Sequence, residues 1–385
     1  MKKGFLLMLL ISFYTSQAQQ AITGLNFNYW YDPQSAVQLD IHIVKEPSTM
    51  KVYFSLVTQG DADRYNISWE QRETYTQREG TVLNIDDHLK TISANEKRGW
   101  LALPIPSKPY LLLAKVTSPS TSPYYFLKVI ENNYPVNGHL EGNRSLITKN
   151  YLTTGNRYML KGDSTANYFV SYYDTDFPPA SPPFAEKEGR VDRFLFHDSL
   201  FRIAHNQTFQ LKQTGLYLFQ KDTTAAEGFA FRAVSGTFPK FTKIEDLAKP
   251  LIYVCTQDEF SEIQDAGNNK AKFDKVILDI TRDKERAKNF MRSYFRRVEL
   301  ANLYFSSYKE GWKTDRGMIY TIFGTPDEVT RNSGSETWFY KNYRIRLTFV
   351  KSGSIYNPEN YVLLRDNRFM EPWYTAIDLW RKSRF

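Results

Sequence analysis

The residues best suited to chemistry lie close together between positions 311 and 328. Gly311-Trp312-Lys313-Thr314-Asp315-Arg316-Gly317 is followed by the apolar run Met318 to Phe323 and then by Gly324-Thr325-Pro326-Asp327-Glu328. Two carboxylates around an arginine supply an acid, a clamp and a base, provided that Asp315, Arg316 and Asp327 converge in space. The same residues also read as a folding device, which asks less of the chain. Gly311 and Gly317 permit backbone paths that a side chain forbids, and Trp312 plugs the passage out of a helix into a strand. Thr314 and Asp315 accept turn hydrogen bonds, and Asp315 or Glu299 can hold Arg316 in a bidentate pair. Thr325, Pro326 and Glu328 suit a helix start as N-cap, first residue and capping-box partner. The folding reading is preferred: Gly311, Trp312, Thr314, Asp315, Arg316, Gly317, Gly324, Pro326, Asp327 and Trp338 are motif residues, and no catalytic, cofactor-binding or metal-binding residue is assigned.

Other catalytic patterns are missing from the sequence. Histidines 42, 88, 139, 197 and 205 show no His-x-x-x-His spacing, and Cys255, the one cysteine, has no histidine near it in sequence. Neither a zinc site nor an activated thiol has evident ligands or a base, so Cys255 reads as a buried structural thiol. No nucleophile elbow, phosphate-binding loop or dinucleotide fingerprint occurs. Paired carboxylates for glycoside hydrolysis need spatial separation rather than a sequence pattern, so a carbohydrate-active or cell-wall hydrolase stays open as the alternative.

The elements that must position the motif are helical from about residue 240. A buried strand is expected at Leu251 to Cys255, then a capping box at Thr256-Gln257-Asp258-Glu259 opening a short helix. A longer helix should run from about Asp283 to Phe305, because Ala287, Met291, Tyr294, Val298, Ala301 and Phe305 recur at three- and four-residue steps. Met318 to Phe323 reads as a strand, and Glu336 to Tyr340 with Arg344 to Val350 as a hairpin around Lys341-Asn342-Tyr343.

The front of the chain is β-rich. Val37, Leu39, Ile41 and Ile43 alternate with polar neighbours, which points His42 outward or to a sheet edge. Tyr110 to Val116 and Tyr124 to Ile130 are more continuously apolar, as in strands covered on both faces. Gly215-Leu216-Tyr217-Leu218-Phe219 resembles the tyrosine corner of immunoglobulin-like sandwiches. Phe177-Pro178-Pro179-Ala180-Ser181-Pro182-Pro183-Phe184 should be an extended, exposed connection. The expected architecture is therefore multidomain, two all-β immunoglobulin-like sandwiches at 19–135 and 136–240 followed by an α+β domain at 241–385.

From about residue 250 to 365 the chain resembles the GWxTD family of secreted and periplasmic bacterial proteins, many from the Bacteroidetes. The resemblance rests on Gly311-Trp312-Lys313-Thr314-Asp315, the preceding Arg296-Arg297-Val298-Glu299-Leu300-Ala301-Asn302, the later Gly324-x-Pro326-Asp327, and Trp338-Phe339-Tyr340. It implies β-sandwich domains in front of the motif and implies no particular activity. The helix, turn and two-strand order also resembles small outer-membrane assembly lipoproteins over roughly 35 residues, a likeness of fold only.

Lys2 and Lys3, the apolar run Phe5 to Tyr14 and Ser16-Gln17-Ala18 form a secretory signal peptide over residues 1–18, too short to span a bilayer, which needs ~20 apolar residues. No cysteine follows it to carry a lipid. The mature chain is thus expected in the periplasm or associated with the outer membrane, soluble or peripheral, with no transmembrane segment. Net charge is +8; residues 271–385 carry 22 Lys+Arg against 14 Asp+Glu, and the remainder is balanced at 28 each. A basic C-terminal third suits an acidic surface, while an exported chain without a nucleic-acid-binding motif has no use for nucleic acid. The expected function is a non-catalytic interaction or scaffold module for an envelope protein or outer-membrane component, with no cofactor.

Overall fold

The computed structural model describes residues 20–132, 138–143, 145–162, 165–186 and 195–384. The expected signal peptide at 1–18 therefore lies outside the described residues, as does the expected boundary between residues 135 and 136.

Alternating apolar and polar residues build the first sandwich. Its strands are β1 (Val37–Lys45), β2 (Thr49–Thr58), β3 (Asn66–Arg72), β4 (Thr81–Val82), β5 (Lys90–Ser93), β6 (Glu96–Pro104), β7 (Tyr110–Ser118) and β8 (Thr121–Ile130). They form sheets in the orders β1-β2-β6-β5 and β4-β3-β7-β8, closed over Val52, Phe54, Leu56, Trp69, Leu112 and Val116. The continuous apolar character of β7 has a cause: Leu112 and Ala114 face this core, while Leu111 and Leu113 face outward into the core of the C-terminal domain. β1 is an edge strand, so His42 lies at a sheet edge, one of its two expected places, and not in open solvent. It is half-buried on β1 beside β9 of the next sandwich, and burial, with Lys128 adding, holds its imidazole down to about 4.

The second sandwich comprises β9 (Gly138–Gly142), β10 (Ser145–Leu146), β11 (Tyr151–Thr153), β12 (Arg157–Gly162), β13 (Asn167–Tyr173), β14 (Ser199–Ala204), β15 (Thr208–Gln210), β16 (Gly215–Gln220) and β17 (Phe229–Val234). Its sheets run β10-β9-β12-β15 and β11-β17-β16-β13-β14, with β11 parallel to β17 and the other paired strands antiparallel. The Tyr217 hydroxyl donates to the Gln213 carbonyl at 3.0 Å, the tie of a tyrosine corner. The proline-rich segment is not a free connection. Ala180 N donates to Lys313 O at 2.9 Å, Arg365 to Ser181 O at 3.1 Å and Asp366 N to Pro183 O at 3.0 Å, so it straps the second sandwich to the motif. Prolines leave carbonyl acceptors unpaired by any sheet, and the C-terminal domain uses them.

The C-terminal domain packs α1 (Ile244–Ala248), α2 (Gln257–Ala266), α3 (Lys270–Thr281), α4 (Lys284–Phe305), α5 (Asp315–Phe323) and α6 (Met370–Arg381) against an antiparallel sheet of β18 (Glu328–Arg331), β19 (Ser335–Tyr340), β20 (Ile345–Lys351) and β21 (Tyr361–Leu363). The capping box at Thr256 and Glu259 opens α2, and β19 and β20 are paired as a hairpin. Three expectations are corrected. Residues 249–253 form a 3-10 turn in place of the strand expected at Leu251 to Cys255, with Pro250 in its first turn, where the missing N–H costs nothing. Met318 to Phe323 is helix α5: every residue from Gly317 to Phe323 is buried, and a short run buried all round carries no periodicity to separate helix from strand. Gly324 to Glu328 opens no helix. Gly324 ends α5 at φ +84°, Pro326 is buried, and Glu328 begins β18. No described helix is long and apolar enough to cross a membrane.

The segment before β1 belongs with the C-terminal domain in space. Ile22, Leu25, Phe27 and Tyr31 enter its core, and Phe27 N donates to Val329 O at 2.8 Å.

Candidate functional site

The motif is a junction between two helices, tight enough to exclude side chains at both glycines. A Cβ on Gly311 would lie 2.0 Å from the Ala301 carbonyl oxygen of α4, and a Cβ on Gly317 would lie 1.8 Å from the Gly311 carbonyl oxygen. The 3-10 turn Gly311–Lys313 is thus clasped between α4 and α5 by backbone touching backbone. Thr314 caps α5: its hydroxyl donates to Gly311 O at 2.7 Å and accepts from Gly317 N at 3.0 Å. Asn302 of α4, fully buried, accepts from Trp312 N at 3.2 Å and donates to Pro239 O at 3.1 Å. Trp312 leads into a helix rather than a strand. Its ring is 1% exposed and packs on Tyr253, whose hydroxyl donates to Trp312 O at 3.2 Å; the indole Nε1 is buried with no hydrogen-bond partner among the described residues. Lys313, between the named motif letters, is also buried, paired with Glu310 at 2.7 Å and with Asp176 at the start of the strap.

The charged residues go to separate places. Asp315 turns both carboxylate oxygens inward: Oδ1 accepts from Arg365 at 2.6 Å and Oδ2 from Leu363 N at 2.8 Å, fastening α5 to β21. Arg316 lies in a second cluster. Its guanidinium stacks on Tyr361 at 4.5 Å, donates to Glu359 O at 3.2 Å and stands 3.8 Å from Glu336. Asp327 is exposed in the turn before β18, where its carboxylate accepts from Lys341 N at 2.8 Å and its carbonyl from Asn26 and Asn28 at 3.2 Å. Acid, clamp and base are not brought into one cleft.

Gly324 and Trp338 complete the frame. A Cβ on Gly324 would lie 1.9 Å from Nη1 of Arg297, and the Gly324 carbonyl accepts from Tyr340 Oη at 2.9 Å. Trp338, fully buried, donates from its indole to Glu336 Oε1 at 2.7 Å.

Glu336 is the residue that sequence reasoning missed. It has no solvent exposure, accepts from Tyr31 Oη at 2.8 Å as well as from Trp338, and sits 3.2 Å from Nε of Arg331. A signal was present: Glu336, Trp338 and Tyr340 fall in phase on one face of a strand, so a carboxylate in register with two buried aromatics had to be paired internally. Its partner Tyr31 lies 305 residues away, and nothing local announces that. Glu359 extends the cluster. Burial raises its carboxyl but is outweighed by Lys128, Lys351 and Arg331, which bring it down to about 2.

Cys255 is half-buried, and burial, helped by Glu259, pushes its thiol up to about 12, so it is not a thiolate at neutral pH.

The model of the GWxTD domain matches residues 215–382, and this chain carries a GWxTD domain over that span. The match begins within the second sandwich at β16 and takes in the whole helical region. No curated protein matches the sequence. Among solved structures, the chain is similar to DIP-gamma IG1+IG2 at 12% identity and TM-score 0.16, covering 51% of this chain and 96% of that one. It is also similar to native alpha-2-macroglobulin from Escherichia coli spanning domains MG0-NIE-MG1, at 12% identity and TM-score 0.15, covering 54% of this chain and 74% of that one. The sheets themselves give the fold as β-sheet pairs followed by a mixed α+β region.

Proposed function

We propose that the protein is an exported, non-catalytic scaffold of the cell envelope, in which the GWxTD motif holds three domains in one fixed arrangement for a partner. The observation that carries this reading is the Asp315 carboxylate, whose two oxygens are occupied by Arg365 and the Leu363 amide. A carboxylate held in that way is committed to the fold at both oxygens, and moving it would take this charge partner from the part-buried Arg365. The charged and apolar leader over residues 1–18 supports export, and the basic excess after residue 271 supports a position against an acidic envelope surface.

The test pairs two measurements on the mature protein. Chemical crosslinking in intact cells should recover a specific envelope protein or outer-membrane component in fixed proportion. Purified protein should release no products from peptidoglycan or envelope polysaccharides. Hydrolysis that vanishes in a folded Asp327→Asn variant would overturn the reading in favour of a carbohydrate-active or cell-wall hydrolase.

A further inference from the structure

Arg297 of α4 is a cation without a counter-charge among the described residues. Its guanidinium lies over the Trp380 ring, 5.7 Å from the centroid, and against Gly324 at the end of α5. A Cβ on Gly324 would meet Nη1, Cζ and Nη2 at 1.9, 2.4 and 2.6 Å, so the glycine leaves the space that the guanidinium fills. The nearby carboxylates are engaged elsewhere. Arg296, its neighbour in sequence, takes Glu299 at 2.9 Å, and the Asp327 carboxylate accepts from Lys341 N at 2.8 Å. Burial, opposed by the phenols of Tyr320, Tyr340 and Tyr343 and by no described Asp or Glu, holds the guanidinium below the usual arginine range. A guanidinium taken this far out of water ordinarily has a counter-charge, because an unpaired one is costly.

The free donors have a direction. Nη1 is sealed in the protein with no hydrogen-bond partner among the described residues, whereas Nε and Nη2 are not sealed, so the part-buried side chain shows its Nε–Nη2 edge to solvent. That edge carries two parallel N–H bonds, the geometry that a carboxylate accepts at both oxygens. Tyr343 adds a third donor. Its ring stands edge-on to Phe323 at 4.9 Å, its hydroxyl forms no hydrogen bond among the described residues, and the Arg297 charge opposes the rise that burial gives its phenol. The described end of the chain lies elsewhere: Ser383 Oγ donates to Arg286 O at 2.9 Å, about three turns before Arg297 on α4 and so about 16 Å away along the axis.

We propose that Arg297 and Tyr343 form a receptor for a carboxylate of a partner protein, which lies along the Nε–Nη2 edge against the tyrosine. One guanidinium neutralises one charge, so a carboxylate fits it where a dianionic phosphate keeps an unmatched charge. Arginine and tyrosine backed by a buried tryptophan have the make-up of an interface hot spot, and a side chain already fixed loses little freedom on binding. Gly324 then has a second task besides ending α5, since any side chain there displaces the guanidinium. The partner's setting in the envelope rests on the scaffold reading; carboxylate binding does not.

The first probe is acetate, titrated against chloride at constant ionic strength into the mature full chain, isotope-labelled at its arginine nitrogens and followed by NMR. One Nε–H resonance, identified by its absence from Arg297→Lys, should shift saturably with acetate and stay still with chloride. Inorganic phosphate should bind no more tightly than acetate. The second probe is a displayed library of random peptides, panned against the same chain: enriched peptides should carry an acidic residue or present a free C-terminus. Arg297→Lys keeps the charge and loses the fork, and should weaken the best peptide about tenfold or more. Arg297→Met should leave the unfolding midpoint unchanged or raised, because an uncompensated charge is removed while the tryptophan stays covered. An Nε–H indifferent to acetate, peptides without a preference for carboxylates, or binding indifferent to Arg297→Lys would overturn the proposal. So would phosphate binding about tenfold tighter than acetate, which is the mark of a phosphate site, and a midpoint lowered by Arg297→Met, which would assign Arg297 to packing. Absence of crosslinks in cells, with acetate and peptide binding intact, would count against the scaffold reading alone.

Discussion

The GWxTD motif and the β14 edge sit at opposite extremes of the same molecule. Around residues 311–317 the side chains of Lys313, Thr314, Asp315 and Arg316 are occupied by neighbouring chain, and two glycines mark places where even a methyl group has no room. Along 199–204 the backbone edge is unpaired among the described residues and apolar side chains face solvent between two hollows. A region with the strongest sequence signature is thus closed, and one with no signature is open. The difference teaches that a distinctive motif can record the demands of packing, while an open surface is written in weaker terms.

The largest expected effect is at the motif glycines. Gly317→Ala places a Cβ against the Gly311 carbonyl with backbone on both sides, and is expected to cost more than ~4 kcal/mol, the range of severe core disruption. Denaturant unfolding, or failure to accumulate as soluble protein, reads this; a loss below ~1 kcal/mol would break the contrast. Next comes Glu336→Gln, which strips the negative charge from a site facing Arg331 and Arg316 and should cost ~3–5 kcal/mol. Asp315→Asn keeps an acceptor for Leu363 N but removes the charge facing Arg365, for an expected ~1.5–3 kcal/mol in the same measurement.

Acid should separate the domain junctions. Burial holds His42 down to about 4 and His139 to about 3, both below the ordinary 6.5, so the unfolded chain takes up these protons first and stability falls as pH drops below about 6.5. Glu359, brought down to about 2 although two-fifths of its side chain reaches solvent, contributes above about 4.5 and is lost only as pH falls toward 2. Hydrogen exchange followed against pH should therefore show β1 and β9 loosening before β18 to β21, and His42→Gln should lessen that early loss. The smallest effect belongs to the open edge: Leu200→Arg should shift stability by no more than about 0.5 kcal/mol, as for an exposed side chain.

Much of the scaffold was readable because it depends on neighbours in sequence. Period-two alternation marked β1, the three- and four-residue steps marked α4, and the capping box at Thr256 and the corner at Tyr217 are both local hydrogen bonds. The failures share the opposite character. Met318 to Phe323 is buried on every side, so its composition fits helix and strand alike until Thr314 caps it. Helix α6 buries Trp373, Ala376 and Trp380 at helical spacing, a stripe blurred in sequence by the apolar Ile377 and Leu379 and the exposed Tyr374 between its members. The motif letters could be identified, but their partners could not. Arg365 lies 50 residues beyond Asp315, and Tyr31 lies 305 residues before Glu336. Likewise, the strap from Asp176 to Phe184 reads locally as an exposed connection, and only the positions of Lys313, Arg365 and Asp366 show what its carbonyls and amides meet.

Residue-resolved amide hydrogen exchange at neutral pH tests the contrast most directly, because it reads the closed turn and the open edge in one experiment. Amides of residues 312–318 should exchange only through global unfolding, with the same denaturant dependence as the core of α4, while the unpaired amides of Ser199–Ala204 exchange orders of magnitude faster. Fast local exchange at Trp312, Thr314 or Gly317 in the folded protein would contradict the assignment of the motif as a packed junction.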